Sequence, residues 1–257
     1  MAKIKNKALN YVFNDFKKEQ TIVFSNSLGT DLTMWDKQVG LLGLEFNILR
    51  YNTRGHGKNA VPAGEYSIEM LGKDVLELLD DLKLEKVNFC GLSIGGLTGQ
   101  WLGIHAPERL NKLILSNTAT KIGNKEGWNT RIETVRKKGL KSIVSGTQER
   151  WFTPEFAAAN EAEVEAVLNK FVQTSLEGYV GCCAAVRDAD FTNEIHKISV
   201  PTLIISGTKD AVTTLEDSKI FRKKIPNVNL FNVKAAHISN IERAEDFTSL
   251  IKEFIKN

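Results

Sequence analysis

The sequence predicts an α/β protein, a mainly parallel sheet with helices on both faces and a helical cap inserted between two strands. Three observations carry that expectation. Short apolar runs bounded by turn residues alternate with longer amphipathic patterns, the rhythm of parallel strands and crossover helices. The alternation stops between about residues 121 and 196, where no strand-like run occurs and helical patterns follow one another. At 257 residues the chain is long enough to bury one sizeable core and to carry such an insertion.

"TIVFSN" (21–26) opens the strand series and precedes the helix-like "DLTMWDKQVGLL" (31–42). "EFNILRY" (45–51) is the next strand and runs into the glycine-rich loop "NTRGHGKN". In "SIEMLGKDVLELLDDL" (67–82) apolar residues recur at i, i+3, i+4 and i+7, which gathers them on one face of a helix. "KVNFCG" (86–91) is a third strand, followed by the helical "IGGLTGQWLGIHA". "NKLILSN" (111–117), "VPTLIISG" (200–207) and "NVNLFNV" (227–233) complete the strands, and a last helix closes the chain. Within the insertion, "RIETVRKKGLKSIV", "EFAAANEAEVEAVLNKFVQTSL" and "EGYVGCCAAVRD" read as helices. The expected division is a core of 1–120 and 197–257 with a cap of 121–196. A cap so placed lies over the carboxyl ends of the strands, where open α/β sheets bind ligands.

Composition narrows the function. A formal charge of +3, with basic residues interleaved with acids as in "DVLELLDDLKLEKV", argues against a nucleic-acid partner. No apolar run approaches the roughly 20 residues of a membrane span. The start "MAKIKNKALNYVFND" lacks the apolar core of a signal peptide. Cys90, Cys182 and Cys183 are odd in number, two of them adjacent, with neither a disulfide pattern nor zinc spacing. The expectation is a reduced, cytoplasmic protein without metal.

Gly91-Leu92-Ser93-Ile94-Gly95 matches G-x-S-x-G. The pentapeptide alone is weak evidence, but it follows an apolar strand run and opens a helix. That is the setting of a nucleophile elbow, where a serine on a strained backbone is held out for attack while glycines let strand and helix approach closely. A serine hydroxyl is a poor nucleophile near neutral pH and needs a base, itself oriented by an acid. Of the four histidines, His56 comes early, in the "RGHG" loop, and His196 ends the insertion. His105 lies about 18 Å along the same helix as Ser93. His237, in the loop after the last strand, fits the chain order Ser, acid, His. Asp210 follows the strand "PTLIISG" and is the candidate acid; Glu216 and Asp217 fall inside the next helix, and Asp188 and Asp190 inside the cap. The oxyanion of acyl transfer needs backbone donors: the N–H of Ile94 after the nucleophile, and an N–H from the loop "SNSLGT", assigned to Leu28.

With these residues in place the chain resembles the α/β-hydrolases and, more narrowly, the 3-oxoadipate enol-lactonases of aromatic catabolism. "SNSLGTDLTMW", "LRYNTRGHG", "FCGLSIGGLTGQWLGIHAPERLNKLILSNTATKIG" and "AAHISNIERAEDFT" carry the likeness, which runs from about residue 20 to the C-terminus and is looser in the cap. The family's pattern puts nucleophile, acid and base on Ser93, Asp210 and His237, and its oxyanion residue on Leu28. Trp128 matches a tryptophan associated with the substrate pocket. Asn52 departs from the more usual aspartate, at a position that ties down a loop.

The resemblance implies opening of 3-oxoadipate enol-lactone in the beta-ketoadipate pathway through an acyl-enzyme, with no cofactor. The partner is then a small anionic lactone whose carboxylate needs a cation. Arg131, one helical turn beyond Trp128, is the candidate, with Arg150 and Arg187 as rivals. Trp128 and Trp151 could each line the pocket or belong to the cap core. Two other functions stay open: a carboxylesterase or carbon–carbon bond hydrolase on the same scaffold, and a low-turnover ligand-binding protein.

Overall fold

The computed structural model describes residues 9–257, so the first eight residues of the start read above for a leader lie outside it. Its centre is a seven-stranded sheet: β1 (Tyr11–Asn14), β2 (Thr21–Ser25), β3 (Asn47–Tyr51), β4 (Val87–Leu92), β5 (Leu110–Ser116), β6 (Thr202–Gly207) and β7 (Val228–Val233). The spatial order is β1-β3-β2-β4-β5-β6-β7. Every pairing is parallel except that of β1 with β3. The six strands marked by apolar runs are all present; β1 was not foreseen. It is a four-residue antiparallel edge strand, half-buried throughout, too short to show an alternation of its own.

The sheet's middle explains why its strands stand out as apolar runs. Ile22, Val23 and Phe24 of β2 are fully buried, and every residue of β3, β4 and β6 is buried too, because helices cover both faces. On the core these are α1 (Asp36–Leu42), α2 (Ile68–Asp81) and α3 (Ile94–His105). In α2 the apolar stripe Ile68, Leu71, Val75, Leu78 and Leu79 is the buried face. Ser67 begins that helix by accepting from the Met70 N–H, a cap whose loss typically costs about 1 kcal/mol.

Between β5 and β6 the chain is helical, as the sequence leads one to expect: α4 (Lys125–Lys138), α5 (Val144–Trp151), α6 (Pro154–Ala159), α7 (Glu161–Gln173) and α8 (Leu176–Asp188). The helix boundaries there differ from the sequence patterns. The first pattern, 131–144, is overrun at its start and cut at Gly139, whose φ of 72° ends α4; a 3-10 turn and then α5 follow. The long second pattern breaks at Asn160 and again at Thr174, after which Ser175 caps α8 by accepting from the Gly178 N–H. Polar caps thus override a continuous apolar rhythm. Helix α8 docks on the core backbone to backbone: a Cβ on Gly178 would collide with the Gly55 carbonyl oxygen. The chain ends in α9 (Leu215–Lys224), α10 (Ser239–Glu242) and α11 (Ala244–Lys256). Among the described residues no helix is long and apolar enough to cross a membrane.

Candidate active site

Ser93 stands between the end of β4 and the start of α3, with φ 61° and ψ −115°. That conformation costs a side-chain-bearing residue roughly 1–3 kcal/mol and persists only where its surroundings hold it. They do: the Ser93 N–H donates to the Ser116 carbonyl at 3.0 Å, and Thr118 Oγ1 donates to the Ser93 carbonyl at 2.8 Å. The flanking glycines are required by close approach. A Cβ on Gly91 would collide with the Gly95 carbonyl, and one on Gly95 with the Ser25 carbonyl.

His237 follows β7 and is buried, and its Nδ1 lies 2.9 Å from Asp210 Oδ2. Asp210, just past the end of β6, is held on all sides. Its Oδ2 also accepts from Asn117 Nδ2 at 3.0 Å and Thr213 Oγ1 at 2.7 Å, while Oδ1 accepts from the N–H groups of Val212 and Thr213. Burial pushes this carboxyl up, but the imidazole beside it and these donors prevail and bring it down to about 2. Asp210 is therefore an acceptor at ordinary pH, which places the imidazole proton on Nδ1 and leaves Nε2 for the cavity. Ser93 and His237 line the same cavity, of about 320 Å³. No Ser93–His237 hydrogen bond is made among the described residues; in empty sites this contact is commonly long and tightens when substrate seats.

Leu28 also lines the cavity. In its loop the other N–H groups are taken: Ser27 donates to Met34 Sδ, Gly29 to His56 Nε2 at 2.9 Å, and Thr30 to the Ser27 carbonyl. The Leu28 N–H has no acceptor among the described residues, and the Ile94 N–H, first of α3, has none within its helix. His56 is fully buried, and burial lowers its pKa to about 4. Its Nδ1 lies 3.2 Å from the Arg54 carbonyl. The neutral ring thus donates through Nδ1 and receives the Gly29 N–H on Nε2. The sequence offered His56 only as a possible base; the structure makes it the support of the Leu28 loop. Asn52 ties this region down as well, receiving the Leu32 N–H at 2.7 Å and donating to Asn10 Oδ1 at 2.9 Å.

The cap closes the cavity with Trp128, Arg131, Arg150, Trp151 and Tyr179. Trp128 is fixed by donating from Nε1 to the Ile122 carbonyl at 2.7 Å. Arg131 Nε donates to the Tyr179 hydroxyl at 2.7 Å, and its guanidinium lies 5.7 Å from that ring's centroid. Arg150 has a hydroxyl neighbour, Thr147, at 3.4 Å. Burial, with repulsion from Arg131, depresses its pKa. Neither guanidinium has a carboxylate partner among the described residues. Arg187, the other rival, is not at the cavity and is matched by Glu65 and Asp188. Tyr179 and Asn117 escaped the sequence reading, since a buried tyrosine on a cap helix and an asparagine at a strand end carry no signal of their own. His105 and His196 are exposed, at the end of α3 and in a 3-10 turn. Among the described residues no group of three or more His, Cys, Asp and Glu could hold a metal ion.

Comparison with known proteins gives the chain its family. A family model described as serine aminopeptidase, S33, matches residues 39–235. The 3-oxoadipate enol-lactonase 2 of Acinetobacter baylyi is 42% identical over 97% of this chain and 93% of that protein. The chain belongs to the 3-oxoadipate enol-lactonase family of α/β-hydrolases. A second member, 3-oxoadipate enol-lactonase 1 of the same organism, is 39% identical over 98% of this chain and 94% of that protein. Among solved structures, the enol-lactonase from Burkholderia xenovorans LB400 superposes with a TM-score of 0.95 at 40% identity, covering 97% of this chain and 96% of that one. The family that the resemblance implied and the fold expected from the residues are therefore those found.

Proposed function

We propose that this protein hydrolyses 3-oxoadipate enol-lactone to 3-oxoadipate in the beta-ketoadipate pathway, and that Ser93, His237 and Asp210 perform the chemistry. The observation that carries the reading is one cavity lined by both Ser93 and His237 on its floor and by two guanidiniums without carboxylate partners on its roof. Its size suits a small ring with an acidic arm.

In this reading Ser93 Oγ attacks the lactone carbonyl as His237 Nε2 takes its proton, and Asp210 stabilises the resulting imidazolium. The oxyanion is received by the N–H groups of Leu28 and Ile94. Collapse expels the enol oxygen, His237 returns the proton, and tautomerisation to the ketone draws the ring open. Water activated by His237 then attacks the acyl-enzyme and releases the diacid. No step calls for a cofactor. Trp128 supplies an apolar wall, and Arg131 and Arg150 receive the carboxylate, since a charge taken from water into this cavity needs a partner. Residues 121–196 act as the cap that selects substrate, and the core of 1–120 and 197–257 carries the chemistry. Three buried free cysteines and the pathway itself suit the cytoplasm.

The test is turnover by purified protein of the enol-lactone, followed by loss of its chromophore, beside simple aryl esters. The lactone should win by at least about tenfold in kcat/KM, the discrimination one recognised carboxylate provides. Equal turnover of the esters points instead to a general carboxylesterase. Stoichiometric acylation of Ser93 without turnover points to a binding protein.

A further inference from the structure

Arg150 faces the cavity, and its own backbone is bonded to the histidine loop opposite. The His237 N–H donates to the Arg150 carbonyl at 3.4 Å, and the Ile238 N–H to the Trp151 carbonyl at 3.0 Å. These two contacts alone are a weak link between cap and core, the first of them long. A third group reinforces them. Glu242, at the end of α10, accepts through Oε2 from the Ala236 N–H at 3.0 Å, immediately before His237. The same carboxylate accepts from the Thr153 N–H at 3.3 Å and from Thr153 Oγ1 at 2.5 Å, immediately after the Arg150–Phe152 segment. Residues 150–153 of the cap and 236–242 of the core are thereby stitched into one strap. One end of it carries a guanidinium and the other the imidazole.

We propose that Glu242 is a positioning residue that couples Arg150 to His237, so that the substrate's carboxylate raises kcat as well as lowering KM. This rests on the functional reading above, in which Arg150 receives that carboxylate. The physical ground is that binding energy from a non-reacting part of a substrate accelerates chemistry only if it is transmitted to the reacting groups. Unlike Arg131, which leans on Tyr179 within the cap, Arg150 sits on a backbone bonded directly to the residue that moves the proton. A carboxylate drawing Arg150 into the cavity pulls on the strap, and with Glu242 in place the strap carries His237 with it. Charge-assisted bonds to two N–H groups and a hydroxyl suit this role, being short and directional.

The experiment compares kcat for the carboxylate-bearing enol-lactone with kcat for its neutral methyl ester, in the full-length protein and in Glu242→Ala. The unaltered protein should turn over the acid about tenfold faster than the ester at saturation. Glu242→Ala should erase most of that ratio, its effect falling on kcat for the acid more than on kcat for the ester. Glu242→Gln, which keeps one acceptor oxygen, should restore much of the ratio. A kcat ratio unchanged in Glu242→Ala overturns the coupling, as does a ratio near one in the unaltered protein. If Glu242→Ala does not fold, as judged by circular dichroism, Thr153→Val removes the hydroxyl half of the clamp and is scored in the same way. Failure of the functional reading looks different: the unaltered protein then opens neither lactone faster than an aryl ester.

Discussion

The carboxyl edge of the sheet and the cap face each other across one cavity, yet they are built by opposite means. On the sheet side the acid and the nucleophile's backbone are already held by their neighbours: Asp210 receives donors from His237, Asn117, Val212 and Thr213, and Ser93 is pinned through both its N–H and its carbonyl. On the cap side Arg131 leans on a neutral phenol and Arg150 on a distant hydroxyl, and neither guanidinium meets a carboxylate among the described residues. Chemistry needs dipoles oriented before the substrate arrives, whereas recognition needs partners that the substrate itself completes. A fold that separates the two can change what it binds without disturbing how it reacts.

Substitutions on the two sides should therefore differ in kind. Ser93→Ala should abolish turnover, by roughly 10⁶-fold in kcat by analogy with other serine hydrolases, and leave the melting temperature nearly unchanged. Activity above one part in about 10³ would show that another group attacks the carbonyl. Asp210→Asn should lower kcat about 10⁴-fold by favouring the wrong imidazole tautomer. A loss under about tenfold would mean the acid is elsewhere.

Across the cavity, Arg131→Leu should raise KM for the carboxylate-bearing lactone about 10- to 100-fold, the worth of a charged hydrogen bond, and leave neutral aryl esters alone. If both substrates suffer equally, the cap contributes to folding rather than recognition and the contrast between the two sides fails.

The smallest effect concerns pH. His56 titrates at about 4 when folded, against 6.5 ordinarily. Between those values the unfolded chain takes up a proton that the folded one refuses. Its share of stability is thus full above about pH 6.5 and is lost as pH falls toward 4. The loss from pH 7.5 to pH 5 should be on the order of 2 kcal/mol in urea melts. Asp210 works in a lower window: depressed from 3.8 to about 2, it adds stability above about pH 4 that disappears as pH falls through 2. His56→Gln should flatten the upper window only; an unchanged slope there would assign it to other groups.

The sequence discloses the sheet side better than the cap. The central strands, buried by helices on both faces, read as apolar runs, and β7 at one edge keeps a run long enough to be seen although it is largely exposed, while β1, a four-residue half-buried edge strand, does not. Ser93 is conspicuous because the bend needs glycine at 91 and 95, and Asp210 and His237 because each follows the end of a strand. The groups that escape notice act through backbone or through a neighbour. The Leu28 N–H has no side-chain signature, and Tyr179 matters by what it does to Arg131. His56 looks like a spare base until the Gly29 N–H is seen to point at it. Glu242, on a four-residue helix, has no pattern to mark it. In the cap, Asn160, whose Nδ2 donates back to the Phe156 carbonyl at 3.0 Å, ends one helix and Ser175 begins another, while the apolar rhythm of the sequence passes through both.

The glycine at 178 sets a condition on remodelling. Grafting a relative's cap to obtain a new specificity would have to retain it, because any side chain there would prise α8 away from Gly55. Displacing α8 would also move Tyr179, the residue after Gly178, and with it the hydroxyl that receives the Arg131 guanidinium. A graft made for breadth would then unsettle that cation, visible as a raised KM for acidic substrates.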